Sequence, residues 1–322
     1  LSPMEAITNQ PYRKICKRYG ADILITEFIA SDALARDVQM SVQKMNFDEM
    51  ERPLGIQIFG NNKEMLVRAT EVAQAARPDF IDINWGCPVK KVAGKGSGSG
   101  ILNNIPKMVE LTEAVVKATN LPVTVKTRLG YEEKSKPIVE IAERLQDIGI
   151  QAISIHGRTR SQMYKGEADW TLIGEVKNNP RMSIPVFGNG DIDSPQKALE
   201  FKNRYGVDGI LIGRATIGNP FIFKQTKELL MGEIPSIIPI QEKVLVCKEH
   251  LEGLIELRGE RNAINEMRKN YSGYFKSLPH FKPFRLKLVT TNDLKEIIQT
   301  LDELQNFYQT QTFDHLHNLE EE

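Results

Sequence analysis

Cysteine is scarce in this chain of 322 residues, and the three cysteines, Cys16, Cys87 and Cys247, lie far apart with no CxxC spacing. This pattern argues against a zinc site and against a disulfide framework, so we predict no metal centre and a cytoplasmic location. No apolar run approaches the roughly 18 residues of a membrane helix, and no signal-peptide pattern opens the chain. We therefore expect no membrane partner.

An excess of either charge is also lacking, because 42 basic residues balance 42 acidic ones. The distribution is less even than the total. The stretch from Arg258 to Lys287 contains eight basic and two acidic residues, whereas the stretch from Leu288 to Glu322 contains one lysine, Lys295, and eight acidic residues. A solvated helical face is the simpler interpretation of the basic stretch, and a nucleic-acid surface is the other.

Short apolar or β-branched runs alternate with amphipathic stretches up to Pro220. The runs are residues 24–29, 54–59, 80–84, 123–127, 152–156, 184–187 and 209–212, and a stub at 1–4, which truncation would explain, makes eight. Such alternation predicts parallel strands with crossover helices. An open doubly wound sheet usually has a Gly-rich nucleotide turn after its first strand, and none is present. We predict an α/β fold, a (β/α)8 TIM barrel, in residues 1–235.

After Pro220 the alternation stops, and the sequence becomes helical. Periodic stretches at residues 241–257, 262–276 and 292–308 are separated by turns that contain Gly or Pro. These patterns predict a small C-terminal helical domain in residues 236–322, after a linker at 232–239.

Polar residues follow the predicted strands at their C-terminal ends, where the loops of such a barrel carry its chemistry. They are Glu27, Gln57, Asn84 with Cys87, Lys126 with Arg128, His156 with Arg158, Asn189 with Asp191, and Gly213 with Arg214. Any one set could simply satisfy a loop backbone. So many sets at one edge indicate a bound ligand.

Two glycine-containing segments, at residues 188–191 and 213–214, predict a phosphate site, since close backbone approach and an arginine fork both favour an anion. This signal does not separate a flavin mononucleotide from a sugar phosphate. A third segment, residues 94–100 (GKGSGSG), fails both the P-loop and the GxGxxG spacing. We interpret it as a mobile loop near Cys87, either a gate for the substrate or a plain surface loop.

These segments belong to an ordered series of motifs. The series is SPMEAIT (2–8), PYR (11–13), QIFG (57–60), DINWGCP (82–88), KKV (90–92), VKTR (125–128), HGRTR (156–160), GNGD (188–191), GR (213–214) and MRK (267–269). It resembles the tRNA-dihydrouridine synthase family of bacterial type over nearly the whole chain. The resemblance implies reduction of the C5–C6 double bond of uridine in tRNA, with FMN as cofactor and NADPH as reductant.

The resemblance also implies roles for individual residues, with Cys87 as the proton donor. The implied FMN contacts are Pro3, Met4, Gln57, Asn84, Lys126, His156, Asn189, Gly190, Asp191, Gly213 and Arg214. The implied tRNA contacts are Lys90, Lys91, Lys95, Arg158, Arg160, Arg268 and Lys269. Two residues depart from the family pattern: Glu5 stands where many members have alanine, and Asn270 where a histidine often follows the basic pair.

The chemistry suits these residues. The C5=C6 bond of uracil is conjugated to the C4 carbonyl, so hydride from flavin N5 should attack C6, and a proton must then reach C5. A cysteine of ordinary pKa, about 8.5, is mostly protonated at neutral pH and can give that proton. Cys87 fits this role better than that of a buried structural thiol, the role we assign to Cys16 and Cys247. A stacked uridine must be flipped out to reach a barrel mouth.

Three other functions stay open. An FMN-dependent small-pyrimidine oxidoreductase of dihydroorotate type would share the chemistry but have no use for a basic tail. A phosphosugar isomerase or aldolase would bind no flavin, and a non-catalytic RNA-binding protein would neither bind flavin nor oxidise NADPH. Nothing in the sequence implies a protein partner.

Overall fold

The computed structural model describes residues 1–310. Residues 311–322, which belong to the predicted helical domain and include part of its acidic stretch, lie outside the described residues. The chain divides into two compact units. The first comprises Leu1–Ala215 and Ile222–Pro235, and the second comprises Thr216–Phe221 and the chain from Ser236 onward.

A parallel eight-stranded sheet forms the first unit. Its strands are β1 (Leu24–Ile25), β2 (Ile29–Ala30), β3 (Leu54–Phe59), β4 (Phe80–Trp85), β5 (Val123–Arg128), β6 (Ala152–His156), β7 (Val186–Asn189) and β8 (Gly209–Leu211). Strands β1 and β2 both pair with β3, so they are two halves of the single strand predicted at 24–29. The break falls at Glu27, whose carboxylate accepts a hydrogen bond from the Ala6 amide.

The stub at residues 1–4 does not form the predicted strand, but its backbone joins the two ends of the sheet. The nitrogen of Leu1 donates to the carbonyl oxygen of Ile23 at 3.0 Å, and the amide of Ser2 donates to that of Ile212 at 2.9 Å. Because Ile23 precedes β1 and Ile212 follows β8, these bonds close the ring. The predicted barrel is thereby confirmed.

Helices follow the strands, as the amphipathic stretches predict. In the first unit they are α1 (Gln10–Arg18), α2 (Ser31–Leu34), α3 (Gln39–Gln43), α4 (Lys63–Ala75), α5 (Lys90–Ala93), α6 (Ile105–Lys117), α7 (Ile138–Asp147), α8 (Thr171–Asn178), α9 (Pro195–Tyr205) and α10 (Ile222–Leu230). Local chemistry sets their ends. For example, Ser194 caps α9 by accepting from the Lys197 amide, Pro195 begins the helix, and Gly206 ends it in the left-handed conformation.

Alternation along the strands separates the two faces of the sheet. Ile81, Ile83 and Val125 are fully buried on one face, whereas Asp82 and Lys126 belong to the opposite face, which lines the barrel. The barrel interior is therefore polar near its C-terminal end, and the apolar core lies between the strands and the helices.

The second unit consists of α11 (Ile240–Arg258), α12 (Glu260–Tyr274), α13 (Lys282–Thr290) and α14 (Leu294–Thr310). The sequence predicted three of these helices and missed α13, which lies in the basic stretch. The segment Thr216–Phe221 contributes to this unit through Phe221, whose ring centroid lies 6.4 Å from that of Tyr274. Within residues 1–310, no helix has the length and apolar character needed to cross a membrane.

The glycine-rich segment at 94–100, which we interpreted as a mobile loop, is a turn whose last residues are buried, and its mobility stays a prediction. It follows α5 and runs into a 3-10 helix, Gly98–Asn103, in which Gly98, Ser99 and Gly100 are buried. A Cβ atom at Gly98 would lie 2.9 Å from the carbonyl oxygen of Cys87, and φ is +52° there, so only glycine fits. The segment packs closely against the backbone of Cys87.

Candidate active site

The turn that follows β4 holds Cys87 from both sides of its backbone. The side-chain oxygen of Asn84 accepts from the amides of Gly86 and Cys87 at 2.9 and 2.8 Å. The carbonyl oxygen of Cys87 accepts from the Ser99 amide at 3.0 Å and the Ser99 hydroxyl at 2.8 Å. Residue Cys87 is 8% exposed, and burial raises the pKa of its thiol. Cys87 is therefore a fixed thiol that stays protonated at neutral pH.

Gln57 and Asp82 lie below Asn84 in the barrel and have no exposed surface. The amide group of Gln57 donates to Asp82 at 2.6 Å and accepts from Asn84 at 2.9 Å. Both ends of the amide thus have protein partners. Gln57 is thus enclosed behind Asn84, and its expected contact with the flavin stays a prediction.

Lys126 projects from β5 into the mouth and donates to the side-chain oxygen of Asn189 at 3.2 Å. Burial, and then the charge of Arg128, lower the pKa of Lys126 to about 8. Burial, followed by the charges of Arg128 and Lys126, holds the pKa of His156 well below its usual value, so this ring is neutral. The mouth therefore carries a positive field that favours an anionic ligand.

The segment after β7 brings two arginines to one carboxylate. Asp191 accepts from Arg158 at 2.7 Å and from Arg214 at 3.0 Å. Burial alone would raise the pKa of Asp191, but the hydrogen bonds from Arg158 and from the Ala168 amide outweigh it and lower the pKa. Within residues 1–310 the amides of Gly190 and Asp191 donate to no acceptor. Free amides beside arginine suit a phosphate.

Arg158, which we expected to contact tRNA, is only 2% exposed. Besides Asp191, it binds the carbonyl oxygen of Lys165 at 3.2 Å. Its guanidinium is therefore a buried support for the loop after β6, and its expected contact with tRNA stays a prediction. The sequence around Arg158 does not indicate its pair with Asp191, because the two residues are 33 positions apart in the chain.

The other residues expected to contact tRNA fall into two groups. Lys90, Lys91, Lys95 and Lys269 are exposed. The side chains of Arg160 and Arg268 are half-buried: Arg160 lies over the ring of Tyr131 at 5.2 Å, and Arg268 donates to Asn292 at 2.7 Å. The four lysines are exposed to solvent, and the two arginines contact neighbouring side chains.

Sequence reasoning left two residues of the mouth without a site role. Arg128 is buried and donates to the carbonyl oxygens of Gly86 and Met163 at 2.7 and 2.9 Å, so it joins the Cys87 turn to the loop after β6. Tyr164 in that loop is 52% exposed, with the guanidinium groups of Arg128 and Arg214 at 5.8 and 5.0 Å from its ring centroid. An exposed aromatic ring between two cations offers a surface for a planar ligand.

The N-terminal segment borders the mouth beside Gly213. A Cβ atom at Gly213 would contact the Met4 sulfur at 3.8 Å, so the two expected flavin contacts are neighbours. Pro3 and Met4 are half-buried, and the backbone of Met4 is held by Thr8 at 3.0 and 3.1 Å. Glu5, the departure from the family pattern, forms an ion pair with Lys44.

Comparisons with known proteins agree with this geometry. The family model described as Dihydrouridine synthase (Dus) matches residues 1–312. The tRNA-dihydrouridine synthase B of Pseudomonas aeruginosa is 37% identical over 294 residues, which are 91% of this chain and 88% of that protein. The protein of the same name from Vibrio vulnificus is 35% identical over 309 residues, 96% and 94% of the two chains.

Among solved structures, histamine dehydrogenase from Rhizobium sp. 4-9 is similar with a TM-score of 0.54 and 14% identity. The match covers 74% of this chain and 45% of that one, so this chain spans less than half of the dehydrogenase, and the likeness concerns the fold alone. The family model and the identity to full-length relatives go further. This chain belongs to the dihydrouridine synthase family.

Proposed function

We propose that this protein reduces the C5–C6 double bond of uridine in tRNA to 5,6-dihydrouridine, with FMN as the bound cofactor and NADPH as the reductant. Membership of the family and relatives named tRNA-dihydrouridine synthase B support this function. The single observation that carries it is the protonated thiol of Cys87, fixed at a cationic barrel mouth. The match of the family model to the helical unit disfavours a small-pyrimidine oxidoreductase, which needs no RNA-binding tail.

The residues of the mouth fit FMN. The phosphate would lie against the free amides of Gly190 and Asp191, with Arg214 as the neighbouring cation. Lys126 would face an electron-rich edge of the ring system, since it is a half-buried cation at the mouth that donates to Asn189. When bound there, FMN would supply the hydride for C6 of uracil.

Cys87 would give the proton that uracil C5 requires. Its Sγ–H bond breaks as the C5–H bond forms, and the negative charge of the reduced pyrimidine ends on sulfur. Burial raises the pKa of this thiol overall and keeps it protonated before the transfer. A hydrogen bond from the Val89 amide and the positive charges of Arg128 and Lys126 partly offset burial, and they would interact favourably with the thiolate that results.

Phosphates of the tRNA near the mouth would contact three exposed lysines on and after α5, namely Lys90, Lys91 and Lys95. In the helical unit, the exposed Lys269 would make such a contact. The flipped uracil would stack on Tyr164, whose exposed ring lies between two guanidinium groups.

The proposal is tested with the full-length protein, FMN, NADPH and unmodified tRNA under anaerobic conditions. We expect one equivalent of NADPH to be oxidised for each dihydrouridine that mass spectrometry finds in the tRNA. FMN binding with NADPH oxidation but no dihydrouridine would refute tRNA as the substrate, and failure to bind FMN would refute the flavin mechanism.

A further inference from the structure

A chain of buried hydrogen bonds leads from a carboxylate to the turn that carries Cys87. Asp82 accepts from Gln57 Nε2 at 2.6 Å and also from the hydroxyl of Thr124. Gln57 Oε1 accepts from Asn84 Nδ2 at 2.9 Å. Asn84 Oδ1 in turn accepts from the amide of Cys87 at 2.8 Å. Every donor in this chain points towards Asp82.

The direction of the chain is fixed from both ends. Burial raises the pKa of Asp82 to about 6, so at neutral pH it is ionised and can only accept, and Gln57 must turn its NH2 group towards it. At the other end backbone amides can only donate, so Asn84 must turn its oxygen towards Cys87 and its NH2 group towards Gln57. The two requirements agree at Gln57, whose oxygen then faces Asn84.

We propose that Asp82 is a positioning residue for Cys87, which it holds in place through the oriented amides of Gln57 and Asn84. Asp82 itself has no exposed surface at the mouth, and its side chain accepts hydrogen bonds from Gln57 and Thr124. The inference rests on the proposed function for the importance of Cys87. The positioning is a property of the protein alone and can be measured without FMN or tRNA.

A pair of substitutions reverses and then restores the complementarity of the chain. Gln57→Glu replaces the NH2 donor that faces Asp82 by a carboxyl group, which can only accept once both carboxyls are ionised, so the comparison is made well above the pKa of Asp82. Adding Asp82→Asn supplies a donor on the other side, keeps the acceptor for Asn84 and returns the net charge to its parental value. The double variant should therefore rebuild the chain with the roles of positions 57 and 82 exchanged.

The readout is hydrogen exchange at the amides of Gly86 and Cys87 in the full-length protein, with the amides of β7 as the internal control. Gln57→Glu should speed exchange at the two turn amides by about tenfold, the equivalent of one lost hydrogen bond. The double variant should return to within about twofold of the parental rate. The added negative charge by itself slows base-catalysed exchange, so charge cannot mimic the expected increase.

A second readout is alkylation by iodoacetamide, located by peptide mass spectrometry. It should rise at Cys87 in Gln57→Glu and fall back in the double variant, while Cys16 and Cys247, both with no exposed surface, stay unmodified. Asp82→Ala removes the acceptor without adding charge and should speed exchange at the same two amides. If Gln57→Glu alone does not fold, a double variant that does fold supports the hydrogen bond between positions 57 and 82. Exchange at the amides of Gly86 and Cys87 is then measured in Asp82→Ala.

Parental exchange at Gly86 and Cys87 in both Gln57→Glu and Asp82→Ala would overturn the proposal, as would a folded double variant that shows no recovery. A parental protein that makes no dihydrouridine would instead refute the proposed function and leave the exchange result standing.

Discussion

The charge on Lys126 determines how the affinity for FMN should depend on pH. The pKa of Lys126 is lowered to about 8, first by burial and then by the charge of Arg128, so the free protein loses this cation as the pH rises through that value. An electron-rich flavin edge favours the charged form, so binding restores the proton wherever Lys126 has lost it. The affinity for FMN should therefore be highest below about pH 7 and should fall above about pH 8 by up to about tenfold per pH unit.

The assay is a fluorescence titration of FMN at a series of pH values, performed in the Cys87→Ala background so that the thiol does not titrate. Lys126→Arg is the matched control, because a guanidinium stays charged throughout and its profile should be flat. His156 does not interfere, since its pKa lies well below the range. A parental affinity that is constant up to about pH 9.5, or an equal decline in Lys126→Arg, would refute this role of Lys126.

Three further predictions concern the phosphate end, the RNA surface and stability. Arg214→Ala should weaken FMN binding by about tenfold or more and leave riboflavin binding unchanged in calorimetry; an equal loss for both ligands would contradict a phosphate contact. Lys90→Ala should reduce the log–log salt slope of tRNA affinity by about 0.9, and an unchanged slope would remove this lysine from the RNA surface. Arg13→Ala removes the partner that lies 2.7 Å from the buried Glu51 and should lower the free energy of unfolding in denaturant by about 3–5 kcal/mol. Lys14→Ala, which removes an exposed ion pair, should lower it by less than about 1 kcal/mol. Equal losses in the two variants would contradict a stabilising role of the buried pair.

The barrel could be predicted from the sequence because its strands are short apolar runs and its helices carry clear local signals. The end of α9 illustrates this, since Ser194, Pro195 and Gly206 each specify a helix terminus by local chemistry. The stub at residues 1–4 was misread as a strand because its two bonds to Ile23 and Ile212 depend on ring closure. Helix α13 was missed because its basic residues mask a weak apolar pattern.

Parts of the candidate site could be predicted, and parts could not. The position of Cys87 at a strand end follows from the sequence pattern and agrees with the structure. The enclosure of Gln57 and the burial of Arg158 do not follow, because each depends on a partner at least 25 residues away in the chain. Tyr164 received no site role from the sequence, since its neighbours Arg128 and Arg214 come from other parts of the chain.

The central claim is that Cys87 delivers the proton to uracil C5, and a single-turnover experiment with Cys87→Ala tests it most directly. The variant is loaded with FMN, reduced with NADPH without oxygen and mixed with unmodified tRNA, and dihydrouridine is measured over time. We expect its formation to slow by about 10²–10⁴-fold, while FMN affinity and NADPH oxidation stay close to parental, because neither needs the thiol. Formation of dihydrouridine at the parental rate would contradict the claim.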